Sequence, residues 1–269
     1  MKLRILNVCL LLILSLTAFA QRRNLVYEYT FDTEVGTWPE KSVFSDCSAV
    51  ITNTYARKGS SVRLTLIKGE GNRTELGTSP NNAPKEGWYG VSVYFQPSFE
   101  NDVLPESIMQ WQSFPDKGEA WRSAPLFIGL LNGNYILEQR TDSVKISTGA
   151  TVQHKRDIIG PATKGVWTDF VLHAVWSYKS DGLLELWKDD KLVFTKKGAN
   201  SYNDELYPYA KIGPYKWDFT ESKILSDMRV MYVDEFRVGN EKATYYDVWP
   251  GRKLLKTVLY YSDGTTEVK

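Results

Sequence analysis

Apolar residues recur along this chain with a period of two. Leu25, Tyr27, Tyr29 and Phe31 share one parity, as do Val91, Val93 and Phe95, and then Leu172, Ala174 and Trp176, while the positions between them are often polar. Side chains of an extended backbone point to alternate faces, so each run predicts a half-buried strand rather than a helix. Turn residues divide the runs. Asn132-Gly133, between Leu126–Leu131 and Tyr135–Leu137, predicts a tight hairpin, and Asp181-Gly182 and Asp189-Asp190 separate Phe170–Trp176, Leu183–Trp187 and Leu192–Phe194. A further strand is expected over Met228 to Val238. About a dozen short antiparallel strands with at most a few helical turns predict an all-β fold, a two-sheet sandwich or β-jelly roll with a groove on its concave sheet.

Two stretches, 141–165 and 221–227, lack a clear period and are expected as loops at the rim, where ligand-gripping residues tend to gather. Residues 252–269 read either as a last hairpin, with Leu254–Tyr261 and Thr265–Val268 around Ser262-Asp263-Gly264, or as a loose appendage. No internal repeat or low-complexity linker splits the chain, so residues 21–251 are expected to form one domain.

The first twenty residues follow a different logic. Lys2 and Arg4 precede the apolar run Val8 to Ala18, and Ala18-Phe19-Ala20 gives a small-x-small pattern before Gln21. This is the pattern of a cleavable export leader, and its apolar stretch is shorter than the roughly 20 residues that span a bilayer. Cleavage after Ala20 and a secreted or periplasmic location are expected. No later segment reads as a membrane span. Cys47 would then be the only cysteine, which excludes an internal disulfide and leaves stability to the core.

With 33 Lys and Arg against 32 Asp and Glu, the chain lacks the basic excess of a nucleic-acid binder. No cysteine–histidine spacing or Asp/Asn-rich calcium loop marks a metal site, and a calcium held by loop carbonyls would leave no mark in the sequence.

Chemically capable residues occur at strand spacing in three segments. In Gly71-Asn72-Arg73-Thr74-Glu75-Leu76, Arg73 and Glu75 share a face; in Met109-Gln110-Trp111-Gln112, the two glutamines do. In Tyr209-Ala210-Lys211-Ile212-Gly213-Pro214-Tyr215-Lys216-Trp217, a regular strand puts Tyr209, Lys211, Gly213 and Tyr215 on one side, with Pro214 a place for the parity to slip. Taken together, a cationic group, two amides and a tyrosine suit a carboxylated sugar. Trp111, Trp121 and Trp217 are candidate sugar platforms, although Trp111 has the wrong parity to share the glutamine face.

These segments resemble the motifs of jelly-roll alginate lyases, Arg-Ser/Thr-Glu-Leu, Gln-Ile/Val-His and Tyr-Phe-Lys-x-Gly-x-Tyr. The chain is also similar to the glucuronan lyase and heparin lyase I group over roughly residues 25 to 240. That similarity rests on Trp167-Thr168-Asp169-Phe170, Trp176-Ser177, the Gly182–Trp187 hairpin, Lys211 to Trp217, and Val233-Asp234-Glu235-Phe236-Arg237.

The resemblance implies β-elimination at a uronic acid, with an acidic polysaccharide as substrate, no cofactor, and a monomeric enzyme. It assigns Gln110 and Arg73 to neutralising the C6 carboxylate and Tyr215 to proton transfer. A free phenol ionises near pH 10, so a base role asks for cations around it, for which Arg73, Lys211 and Lys216 are the candidates. Gln112 departs from the motif, because it stands where alginate lyases carry histidine and an amide is no base near neutral pH. Either Tyr215 both removes the C5 proton and protonates the leaving oxygen, or a second group helps. His154, in a predicted rim loop, and His173, opposite in parity to Leu172, are the only histidines available.

Gln112, Glu75, Lys211, Lys216, His154 and His173 are therefore the expected substrate-binding residues, with Lys155 and Arg156 adding charge to the groove. Two other readings remain. A non-catalytic carbohydrate-binding jelly roll would use the same groove, and a glycoside hydrolase would need two carboxylates about 5–10 Å apart, for which no strand motif is present.

Overall fold

The computed structural model describes residues 24–43, 45, 48–251, 258–260 and 266–268, and in them the alternation of the sequence becomes two antiparallel sheets packed face to face. The leader, its cleavage site after Ala20, and Cys47 lie outside the described residues.

One sheet has eight strands: β1 (Leu25–Tyr29), β3 (Ala49–Thr52), β4 (Ser61–Ile67), β6 (Glu86–Tyr94), β11 (Trp167–Val175), β12 (Leu183–Lys188), β13 (Lys191–Lys197) and β15 (Met228–Gly239). Their order is β13-β12-β11-β6-β15-β4-β3, with β1 paired to β15. The other has seven: β2 (Glu40–Ser42), β5 (Glu75–Gly77), β7 (Glu106–Gln112), β8 (Leu126–Leu131), β9 (Asn134–Thr141), β10 (Gln153–Pro161) and β14 (Tyr209–Tyr215). Its order is β10-β9-β8-β7-β14-β5-β2. Helical structure among the described residues amounts to α1 (Tyr245–Val248) and two short 3-10 turns, and no helix there is long and apolar enough to cross a membrane. In the tail, β16 (Val258–Tyr260) pairs with β17 (Thr266–Val268). The architecture is the expected jelly roll.

The predicted parities hold where both sheets bury one face. Val91 and Val93 of β6, Phe170 and Leu172 of β11, and Val233 of β15 pack against Met109 and Trp111 of β7 and Ala210 and Ile212 of β14. Trp111 is 1% exposed and meets Tyr89 edge-on at 5.5 Å. Burying a side chain that size removes about 150–250 Å² from water, a gross gain of about 4–6 kcal/mol, so this tryptophan belongs to the core and is no sugar platform.

The hairpins also form as read. Asn132 and Gly133, with φ of 50° and 76°, join β8 to β9, and Asp189 and Asp190, at 49° and 65°, join β12 to β13. Two consecutive positive φ values are the mirror-image turn that matches strand twist.

One expectation fails. The stretch 141–165 is not a loop throughout, because β10 occupies its middle and pairs with β9. An edge strand has neighbours on one side only, and β10 is polar on both faces over residues 153–157, with Ile158 71% exposed and only Ile159 reaching the core. It therefore lacks the alternation by which strands are recognised.

Register across the seven-stranded sheet aligns residues from five of its strands. Arg156 pairs with Glu138, Glu138 with Phe127, Phe127 with Gln110, and Gln110 with Lys211, a single row across β10, β9, β8, β7 and β14.

Candidate active site

That row floors a cavity of about 870 Å³ on the seven-stranded sheet, on the face turned away from the core. Arg73, Gln110 and Tyr215, drawn from three distant parts of the sequence, line it together. Gln112, Lys211 and His154 line it as well.

The first group of polar residues is built on a buried glutamate. Glu75, 1% exposed on β5, accepts a hydrogen bond from Gln110 Nε2 at 2.5 Å and from Arg73 Nη1 at 3.4 Å, and Lys211 Nζ lies 4.0 Å away. Glu75 thus sits beneath the cavity wall and orients three groups that do reach it. Burial pushes its carboxyl up against the opposing pull of Lys211, Arg73 and the Gln110 hydrogen bond.

Tyr215 is aimed by a break in its strand. The β14–β7 register shifts between Ile212 and Tyr215, where Gly213 has φ of +139°. A Cβ on Gly213 would stand 2.0 Å from the Thr74 carbonyl oxygen, so only glycine lets β14 approach this closely. Beyond the bulge, the Thr74 N–H donates to Pro214 O, Arg73 bridges to Tyr215, and the Arg73 guanidinium carbon lies 3.8 Å from the centre of the Tyr215 ring. This contact holds the ring between a cation and the strand bulge. Trp217, 40% exposed, meets Tyr215 edge-on at 5.4 Å and Phe127 at 6.0 Å, extending an aromatic wall along the cavity. Trp121, 64% exposed, lines the cavity too.

A second polar group surrounds Glu138 of β9. This carboxylate, 1% exposed, accepts from Arg140 Nη2 and from Arg156 Nε at 2.6 Å, and His154 Nε2 lies 2.9 Å from it. Burial opposes its ionisation, but the Arg156 hydrogen bond and the charges of Arg140, Arg156 and His154 outweigh burial and hold the carboxyl below its usual range.

Beside it, Arg122 is clamped by Glu119 at 2.8 Å and by Asp204, while its carbonyl accepts from Gln112 Nε2 at 3.0 Å. Asp116, Glu119 and Asp204 are the group of acidic side chains that converges closely enough to hold a metal among the described residues, but Arg122 and Lys145 already serve as their counter-ions. The lining as a whole carries Arg73, Arg122, Arg140, Arg156 and Lys211 against Glu138 and Asp218. This excess suits an anionic ligand despite the near-neutral chain.

Three expected ligand residues are elsewhere. His173 lies on β11 in the opposite sheet, stacked on Trp88 at 4.1 Å and bridging Glu185 and Glu86 at 3.0 and 3.1 Å. Its parity does turn it away from the core, but on the far side of the sandwich. Lys216 is fully buried, with Nζ 2.9 Å from Asp102 and 3.2 Å from the Leu104 carbonyl. One residue past Tyr215, it faces inward. Lys155 pairs with Asp157 at 2.9 Å on the other face of β10 from His154 and Arg156. Conversely, Arg122, Glu138, Arg140, Phe127 and Asp218 line the cavity without having been anticipated. The available signal was a pair of dyads at spacing two, Glu138/Arg140 and His154/Arg156.

A family model described as polysaccharide lyase matches residues 33–237. No curated protein matches the sequence. Among solved structures, an endo-β-1,4-glucuronan lyase from the fungus Trichoderma reesei superposes with a TM-score of 0.72 at 15% identity, covering 85% of this chain and 100% of that one. An alginate lyase from Aplysia kurodai gives 0.55 at 10%, covering 80% and 98%. One from Chlorella virus gives 0.53 at 11%, covering 80% and 99%. At these identities the likeness is one of fold.

Proposed function

This chain belongs to the polysaccharide lyase family, and from that premise we propose that it cleaves a uronate-containing polysaccharide by β-elimination, leaving an unsaturated uronate at the new end. The supporting observation is the convergence of Arg73, Gln110 and Tyr215 on one cavity, with the guanidinium against the phenol ring.

Elimination begins at C5, whose proton is held too firmly to leave while the adjacent carboxylate keeps its full charge. Arg73 and Lys211, with the Gln110 amide, offer positive charge and hydrogen bonds to that carboxylate. The Tyr215 oxygen takes the C5 proton; the C5–H electron pair becomes the C4=C5 double bond; the C4–O4 bond breaks, and O4 leaves with a proton returned by the same phenol. One group serving both steps fits a syn elimination. It also fits the rest of the cavity, because Gln112 has no basic atom, His173 is on the other sheet, and His154 is engaged by Glu138 at the opposite end of the row. The reaction in this form uses no cofactor.

The shared fold with a glucuronan lyase puts glucuronan first among substrates to test, followed by alginate, ulvan and heparin-like chains. Incubation of the purified protein with these polymers should raise ultraviolet absorbance, from the double bond conjugated to C6, with at least one. Silence across the whole panel, with binding retained, would instead mark a non-catalytic carbohydrate-binding module.

The leader pattern further supports action outside the cytoplasm. Protein recovered from medium or periplasm should begin at Gln21, and recovery only from the cytosol with Met1 intact would overturn that reading.

A further inference from the structure

The cavity repeats one electrostatic unit twice. At one end Glu75 is buried beneath Arg73 and Lys211, and at the other Glu138 is buried beneath Arg140 and Arg156. Each unit sets two strongly basic side chains against one carboxylate, with the His154 ring a further neighbour of Glu138, leaving positive charge for a single anionic group. Arg122 is different, because Glu119 and Asp204 both oppose it.

Arg156 engages Glu138 through Nε, and among the described residues neither of its terminal nitrogens makes a hydrogen bond or ion pair, although its side chain is 36% exposed and lines the cavity. A guanidinium with its fork free is suited to a carboxylate or sulfate.

The separation of the units is set by the sheet. Glu138 and Lys211 belong to the same row, three strands apart, and adjacent strands lie about 4.8 Å apart, so the two units are about 14 Å apart. That distance is too long for two groups on one sugar ring and suits groups on separate sugars of one chain. Phe127 and Trp217 lie between, offering apolar faces to the intervening ring.

We propose that Arg140 and Arg156, seated on Glu138, form a second anion site that holds an acidic group on a sugar near the one being cleaved. The proposal rests on the uronate-lyase reading and narrows it: the preferred polymer carries closely spaced anionic groups along the chain. The shared chemistry is a monoanionic oxygen group, either the carboxylate of another uronate or a sulfate ester.

The test is calorimetric titration in a Tyr215→Phe background, where turnover does not consume the ligand. The probes are a uronate homotetramer, a tetramer alternating uronate with neutral sugar, and the same alternating tetramer sulfated on its neutral sugar. Adding Arg140→Gln and Arg156→Gln should weaken the homotetramer by about tenfold or more, the size of a charge-assisted contact, while barely moving the unsulfated alternating tetramer. A matching loss for the sulfated probe alone would identify the sulfate ester as the source.

Since removing both arginines strands a buried Glu138, a Glu138→Gln/Arg140→Gln/Arg156→Gln variant serves as a charge-balanced second version and should give the same pattern. Equal losses for all probes, no loss for any, or no binding by any would overturn the proposal. If the selective loss appears while the parent enzyme cleaves no uronate polymer, the second site stands and the elimination reading falls.

Discussion

Replacing Tyr215 by phenylalanine is expected to lower kcat on the cleaved polymer by about 10²–10⁴-fold, the usual contribution of a positioned acid–base group, while oligosaccharide affinity stays close to that of the wild type. The substitution removes one oxygen and keeps the ring, so the Arg73 stack at 3.8 Å, the Trp217 edge contact and the Gly213 bulge all remain. Binding of the carboxylate through Gln110 and Arg73 is thereby separated from proton transfer. Initial rates of ultraviolet absorbance give kcat, and calorimetry gives affinity. A variant retaining near wild-type kcat would move the chemistry to another residue, with His154 the remaining histidine in the cavity.

Replacing Lys216 by methionine should instead cost stability, about 3–5 kcal/mol, because Asp102 would be left buried without its counter-ion. For a chain of this size that is a fall in Tm of roughly 10 °C, readable by calorimetry. KM should change little, since the ammonium does not reach the cavity.

Acid gives an independent readout of the same pair. Burial raises the Asp102 carboxyl, but hydrogen bonds from Ser222 and the Leu104 N–H, with Lys216, outweigh it and bring it to about 2. The unfolded chain therefore takes up this proton first as pH falls. About 2 kcal/mol of stability, present above pH ~4, should drain away toward pH 2. The methionine variant should show a shallower acid dependence. A rise in KM with Tm unmoved would return Lys216 to the substrate.

The two lysines of the third motif show where sequence reasoning stops. Lys211 has the parity of the cavity face and is there; Lys216 was expected at the groove for its charge alone, and its even position turns it inward past the bulge. Strands flanked by partners on both sides, such as β6, β7 and β14, announce themselves because one face must be apolar. β10 does not, since an edge strand bearing His154 and Arg156 on one face and Lys155 and Asp157 on the other has no apolar period.

The same gap hid half of the cavity. Glu138, Arg140, His154 and Arg156 meet only through the β9–β10 register, a long-range fact absent from any local window. Arg73, Gln110 and Tyr215 were legible through motif resemblance, whereas their common anchor, Glu75, was expected to touch the ligand and lies under it.

β14 is inserted between β7 and β5, strands that precede it by about a hundred residues or more. During synthesis, then, both flanking strands emerge long before the one that joins them, and each presents an unpaired backbone edge in the interval. Nascent or proteolysed chains ending ahead of Tyr209 lack Tyr215 and keep that gap open, which invites pairing with other copies rather than slow maturation. The late arrival of one short segment makes activity and protection from aggregation begin together.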